Sequence, residues 1–294
     1  VLALQNGEIE MDTSYFDPSY LPTLAADPDI SIHQVERNGY GQLTINCAKY
    51  PLNISGFRRA FAFAFNKTKV TSEVMDRFVF EHDSLVPQPN NWCVEDEFDW
   101  NYYTAQPDIG NQILDDLGFE INATSGYRLA PDDTSFEIVF EHSIVSANLI
   151  ALPNIVLDAL ESLHIDCRKQ YVQFTDYMDR VNHHEDYDIV FYGADFNNSN
   201  VDWLAYEYGS VYADVDFQNP SNFVNDTYDG WINQLLYSST YEEVYEAVAE
   251  MQKILHYNVP RLVVYENMYM QGYRTDQFTG HVDVLDSYSS VLLD

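Results

Sequence analysis

The segment from Ser135 to Gly193, SFEIVFEHSIVSANLIALPNIVLDALESLHIDCRKQYVQFTDYMDRVNHHEDYDIVFYG, decides the fold class. Its first nine residues, SFEIVFEHS, alternate apolar and polar side chains, the period of two that a strand with one covered face requires. From Ser146 to Leu163 the apolar residues Leu149, Leu152, Val156, Leu160 and Leu163 recur at intervals of three and four. That spacing predicts a helix, and Pro153 is tolerated in its first turns. His164 to Val172 reads as the next strand, Thr175 to Val181 as a short helix, and YDIVFYG, residues 187–193, as a buried strand. Strand, helix, strand, helix, strand in this order calls for right-handed crossovers and a sheet that is at least partly parallel, hence an α/β fold. Ligands on such sheets bind beyond the carboxyl ends of the strands, which directs attention to the loop after Gly193.

Outward from this unit, the chain opens with a short helix and two extended segments, the second from Gln42 to Cys47. A loop with Pro51 and Gly56 leads into a helix that carries Phe57, Phe61, Ala64 and Phe65 on one face. Residues 78–106 hold Pro87, Pro89, Trp92 and Trp100 and read as an ordered loop wrapped over the surface, too aromatic for a flexible linker. Pro107 to Leu117 predicts a helix closed by Gly118. A capping box at Ser239–Glu242 starts a strong helix with Val244, Val248, Met251 and Leu255 as its buried stripe. Pro260 stops it, and Arg261 to Met270 forms a last apolar strand leading to a turn at Gly272.

A chain of 294 residues that is 46% hydrophobic and 15% aromatic can bury a large core, as one large domain or two modest ones. The charge balance is lopsided: 47 acidic against 14 basic residues give a formal charge of −33. Like charge excludes nucleic acid and anionic lipid surfaces as partners. The acidity suits saline surroundings, where screening weakens self-repulsion, or it attracts cationic and amine-bearing ligands. No stretch approaches the roughly 20 apolar residues needed to span a bilayer. The opening VLALQNGEIE has neither the basic start nor the apolar run of a signal peptide and no initiating Met, as expected of a piece of something longer. The three cysteines, Cys47, Cys93 and Cys167, form no CxxC pair and no His/Cys zinc spacing; they read either as one disulfide plus a thiol or as three reduced residues. Asn-x-Ser/Thr occurs at Asn53, Asn66, Asn122, Asn197 and Asn225, glycan acceptors if the chain is exported through a glycosylating pathway.

Motifs for chemistry are few. GxSxG, P-loop, GxGxxG and HExxH patterns are all missing from the sequence, so no catalytic residues and no cofactor are expected. His183 and His184 lie beside Glu185 and Asp186, but neighbours on an extended chain point to opposite faces, and the cluster reads as a polar turn, not a metal site. Adjacent carboxylates such as Asp115–Asp116 are expected by chance among so many acids. The run FYGADFNNSNVDW, residues 191–203, is different. A buried strand delivers Asp195 into a polar loop flanked by Tyr192, Phe196 and Trp203. A carboxylate there either pairs with an amine ligand between aromatic walls, or merely closes an Asx turn or caps a helix.

Several stretches together resemble the family 5 extracellular solute-binding proteins, which serve ABC importers of peptides, nickel complexes and some oligosaccharides. QNGEIEMD is similar to the family's G-x-x-D segment, and GQLTINCAKYPLNISGFRRAFAFAFNKTKV to its run of Asn, Pro and R-Q-A-x-x-x-A. IGNQILDDLGF resembles its A-x-x-L-L-x-x-A-G helix, YDIVFYGADF its D, G-W, D segment, and YEEVYEAVAEMQKILHYNVPRLVVYENMYMQGY the end of its fold. The resemblance runs in order through nearly the whole chain. Tyr192–Gly193 stands where the family has Gly-Trp, and Asn197 to Asn200 replaces a common Asp-Pro.

The resemblance implies a periplasmic-binding-protein-like type II fold, a two-lobed Venus flytrap of which this chain holds one lobe plus flanking parts of the other. Residues 1–44 and 261–294 then belong to lobe I and 45–260 mostly to lobe II, and members of the family carry a long further segment ahead of the position of Val1. It also implies an extracellular, cell-surface or periplasmic protein, anchored through a part outside this chain, that captures short peptides or similar amine-bearing solutes for an ABC importer permease without catalysis. Asp195 matches the Asp that pairs with a peptide's amino group. The contrasting expectation, from 23 tyrosines and the missing lobe segments, is a binding fold recruited for self-association in a cell-surface assembly.

Overall fold

A computed structural model describes residues 1–12, 16–74, 79–144, 149–196, 199–282 and 292–293. The elements run α1 (Leu2–Gln5), β1 (Met11–Asp12), α2 (Leu21–Ala25), β2 (Ile30–Ile45), α3 (Ser55–Ala64), α4 (Lys67–Lys69), β3 (Val79–Phe80), α5 (Pro107–Asp116), β4 (Ile138–His142), α6 (Leu152–Ser162), β5 (Cys167–Tyr171), α7 (Phe174–Asn182), β6 (Ile189–Asp195), α8 (Trp203–Tyr208), α9 (Asp226–Tyr237), α10 (Tyr241–Asn258), β7 (Arg261–Arg274), β8 (His281–Val282) and β9 (Leu292–Leu293).

The expected strand–helix unit is present as β4–α6–β5–α7–β6. β4 pairs in parallel with both β5 and β6, as two crossovers demand. The sheet then turns antiparallel: β6 pairs with β2 and β2 with β7, giving the order β1-β7-β2-β6-β4-β5, with β3 on β7. The two extended segments expected near the start are in fact one strand, β2, kept continuous because its 16 residues pair along almost their whole length with β7. β7 likewise runs past Met270 to Arg274. The capping box lies one residue later than expected: Thr240 is the N-cap and its hydroxyl accepts from the Glu243 amide at 3.4 Å. The start of the helix expected from Ser146 falls partly outside the described residues; α6 begins at Leu152 with Pro153 in its first turn.

Two faces of the sheet are covered. On one, the Phe57, Phe61 and Phe65 stripe of α3 joins α5 and α6 over Leu43, Ile45, Phe140, Ile189 and Phe191. On the other, α8, α9 and α10 pack Leu204, Tyr228, Val248 and Met251 against Tyr40 and Val263. Residues 81–106 are ordered and tucked in, with Leu85, Val86 and Val94 buried. Cys47, Cys93 and Cys167 are free thiols. No helix among the described residues is long and apolar enough to cross a membrane.

Of the few cations in this acidic chain, Arg58, Lys67, Arg128, Arg261 and Arg274 are buried. Lys67 donates to the His82 carbonyl, and three of the arginines satisfy main-chain carbonyls that include those left unpaired at the carboxyl ends of helices. Arg58 donates to the carbonyls of Asn258, Val259 and Leu52 at 2.9, 3.2 and 2.6 Å, tying α10 to α3. Arg128 does the same for Leu163 and Phe119, and Arg274 for Leu4. Arg58→Met therefore removes the partner of three carbonyls in a closed site, and we expect a loss of about 2–4 kcal/mol in chemical denaturation, with a far-ultraviolet spectrum unchanged before the transition.

Candidate functional site

β2 does not run straight past its neighbours. Glu36 pairs with Met268 and Tyr40 with Glu266, so β2 bulges at Arg37, Asn38 and Gly39 against the single residue Asn267. β6 reaches its end against this bulge, with Gly39 opposite Asp195. The approach is tight: a Cβ on Gly39 would lie 2.2 Å from the Ala194 carbonyl oxygen and 3.0 Å from the Asp195 Cα, so only glycine fits.

Asp195 is thus presented at the carboxyl end of β6, where the order of elements expects a binding site. Its carboxylate is already partnered within the chain. Arg37 grips it with both prongs, Nε to Oδ1 at 2.6 Å and Nη2 to Oδ2 at 2.8 Å, and the Tyr269 hydroxyl donates to Oδ1 at 2.7 Å. Arg37 in turn donates to the Asn267 side chain at 3.0 Å and the Ala194 carbonyl at 3.2 Å, with its guanidinium carbon 5.7 Å from the centre of the Tyr269 ring. The guanidinium is largely buried, whereas the Asp195 side chain keeps 56% of its surface. Burial opposes the charge on Asp195, but the hydrogen bonds and charge of Arg37 outweigh it and hold the carboxyl below its usual range. The same contact, working against burial, raises the Arg37 pKa.

The structure separates Asp195 from the aromatic residues expected beside it. Alternate residues of a strand face opposite ways, so Asp195 shares a face with Gly193 and Phe191, while Tyr192, Ala194 and Phe196 point to the other. Tyr192 packs with Tyr177, Tyr187 and Val190. Phe196 and Trp203 stack at 4.4 Å between ring centres and lean on Tyr40 and the second core. Sequence reasoning missed Arg37, Asn267 and Tyr269. The available signal was the break Arg37-Asn-Gly39 inside an extended run. A second signal was the departure at Gly193: a Cβ there would lie 3.1 Å from Arg37 Nη2, so the guanidinium lies where a larger residue would project.

The remaining candidates fall as follows. His183 and His184 diverge, the first onto the Asp179 carbonyl at 2.7 Å and the second onto Asn222 and the Val215 carbonyl. Asn53 is exposed. Asn66 and Asn225 cap α4 and α9 through their side chains, and Asn122 closes an Asx turn onto Thr124. Asn197 lies outside the described residues.

With this geometry established, comparison with known proteins is informative. The model of the middle region of bacterial extracellular solute-binding proteins, family 5, matches residues 1–214. Among solved structures, the oligopeptide-binding protein AppA from Bacillus subtilis, in complex with a nonapeptide, superposes with a TM-score of 0.79 at 13% identity, over 95% of this chain and 54% of its own. The ABC transporter-associated periplasmic binding protein DppA from Helicobacter pylori, in complex with the peptide STSA, gives 0.75 at 17% identity, over 95% and 51%. NikZ from Campylobacter jejuni, in complex with Ni(L-His), gives 0.75 at 18% identity, over 94% and 54%. The chain spans about half the length of these structures, and its fold is that of one lobe of a type II periplasmic binding protein with part of the other. No curated protein sequence matches it.

The fork of Arg37 on Asp195 can be tested by titration. In carboxyl-carbon NMR, Asp195 should titrate below the ordinary aspartate value and shift upward in Arg37→Met. Because the folded pKa is depressed, the stabilisation from this contact is fully present above the unfolded value near 3.9 and is lost as pH falls through the folded value. An Asp195 resonance insensitive to Arg37→Met would show that the two groups are not in contact in solution.

Proposed function

Because the chain belongs to the bacterial extracellular solute-binding proteins, family 5, we propose that it supplies one wall of a solute-binding cleft and captures short peptides or similar amine-bearing solutes for an ABC importer. The observation that carries this reading is the Asp195 carboxylate. It stands at the end of β6, its orientation fixed by Arg37 and Tyr269, with more than half of its side-chain surface still free to meet a ligand. A held carboxylate loses little freedom on binding an ammonium group, which is what pre-organisation contributes to affinity. A surface of formal charge −33 raises the local concentration of cationic ligands at the same time. Arg37 sets a condition on the ligand: it neutralises Asp195 in the resting protein, so an amine binds by sharing the carboxylate.

Past the bulge β2 gains β6 as a second neighbour while it stays paired with β7, and this supports a division near that point, with residues 1–44 and 261–294 mainly in one lobe and 45–260 mainly in the other. Phe196 and Trp203, which pack together on the face of β6 opposite Asp195, would meet a ligand only where it wraps past the strand end, and Tyr192 stays packed against Tyr177, Tyr187 and Val190. The family is one of binding proteins, and the site as described needs no catalytic group.

The test is a binding titration of the full-length protein, purified from its source, against a pool of di- to hexapeptides. Asp195→Ala should weaken binding by at least about tenfold, as expected for loss of a charge-assisted hydrogen bond, and Asp195→Asn should fall between it and the wild type. Equal affinity for N-acetylated peptides would remove the amine-anchor role. An absence of any bound or titratable solute, with defined multimers in its place, would favour the assembly role.

A further inference from the structure

Behind β7, away from Asp195, the loop of residues 81–106 folds back on itself and brings together three side chains of metal-binding type. His82, Cys93 and Glu95 each offer one donor atom, and these atoms lie within 4.8 Å of one another. They border a polar cavity of about 320 Å³ that is also lined by Gln88, Asp96 and Tyr103.

The His82 ring is buried, and its two nitrogens have different partners. Nε2 lies 3.0 Å from the carbonyl oxygen of Val86, which can only accept, so Nε2 carries a hydrogen. In the neutral ring that leaves the Nδ1 lone pair aimed at Glu95 Oε2, 2.5 Å away. Two lone pairs at that separation need a cation between them. A proton fills the role at this separation, giving an imidazolium; a metal dication takes its place once the two donors part to about 3.3 Å, the spacing that tetrahedral bonds of about 2 Å impose, and the neighbouring thiol of Cys93 then becomes a third donor. Two carboxylates face the ring, those of Glu95 and Glu266. Glu266 lies 3.5 Å from His82 Nε2 and is fully buried. Lys67, which donates to the His82 main-chain carbonyl, is itself paired to Asp83.

The outer contacts are those that hold ligands in register. Ligating histidines commonly donate their second nitrogen to a main-chain carbonyl, as His82 does to Val86, and ligating carboxylates are themselves hydrogen-bonded. Glu95 receives the amides of Asp83 and Ser84, both at 2.8 Å, and the hydroxyl of Tyr103. We propose that His82 Nδ1, Cys93 Sγ and the Glu95 carboxylate bind a divalent transition metal of the zinc class, with a fourth position open to the polar cavity. A mixed nitrogen, sulfur and oxygen set selects zinc and its borderline neighbours over calcium or magnesium, which prefer oxygen alone. The site ties the start of the loop, at His82, to its middle, at Cys93 and Glu95, and shares no residue with the Asp195 site.

The experiment uses the full chain stripped with a chelator and then dialysed against Zn²⁺ or Co²⁺ alone. One zinc per chain should bind saturably, and the cobalt form should show a thiolate-to-metal charge-transfer band. Cys93→Ser, a near-isosteric change at a half-buried position, should abolish the band and weaken zinc binding by about tenfold or more, while Cys47→Ser and Cys167→Ser leave both intact. Thermal melts of the metal-free variants verify that each is folded. Non-saturating uptake of several ions, saturable binding without the band, or a band that survives Cys93→Ser would each overturn the proposal.

Discussion

The pairing of β2 with β7 is the constraint on which the rest of the structure depends. These strands, of 16 and 14 residues, are far apart in the chain, yet pair along almost their full length. One edge of β2 then receives β6 and through it the parallel half of the sheet; β7 receives β1 and β3. Both helical layers pack against side chains from these two strands, Leu43 and Ile45 on one face and Tyr40 and Val263 on the other. The bulge at Arg37 to Gly39 is the one place where the ladder is out of step by two residues, and it is there that β6 stops and Asp195 is presented.

The scarcity of positive charge makes its placement informative. Five cations are fully or nearly buried, and Arg37 is mostly so. Burying a cation is costly unless it is well partnered, and here the partners are carboxylates or clusters of carbonyls that would otherwise go unpaired. The interior therefore uses cations to close helix ends and fix strand ends. The outer surface is left more acidic than the overall composition suggests.

How much of this was legible in the sequence follows from what each signal depends on. Periodicity depends on burial, so the β4–α6–β5–α7–β6 unit and the stripes of α3 and α10 were readable. The strand β2 was read as two pieces because Arg37-Asn-Gly39 looks locally like a turn; only its distant pairing with β7 carries the chain through. Asp195 was singled out because a buried strand delivers it, whereas its aromatic neighbours were placed by sequence distance, which ignores that Tyr192 and Phe196 sit an odd number of positions away and face the other side. Arg37 and Tyr269 are 158 and 74 residues from Asp195, beyond the reach of any local pattern. The cluster of His82, Cys93 and Glu95 escaped for a related reason: its spacing matches no finger-type template, because a loop and not a helix or hairpin brings the three together.

The long β2–β7 ribbon has one more consequence. A beam yields where its cross-section narrows. Below the bulge the ribbon is flanked in the sheet by β6, β4 and β5; from Ile30 to Glu36, among the described residues, its sheet neighbour is the two-residue strand β1 at the far edge, with the small cluster of Leu4, Phe16 and Leu24 packed on Ile30 and Met270. Flexural stiffness therefore drops at Arg37 to Gly39, and elastic deformation of the sheet concentrates at that notch. The fork of Arg37 on Asp195 bridges the notch, so it is the contact that any bending of the ribbon strains first.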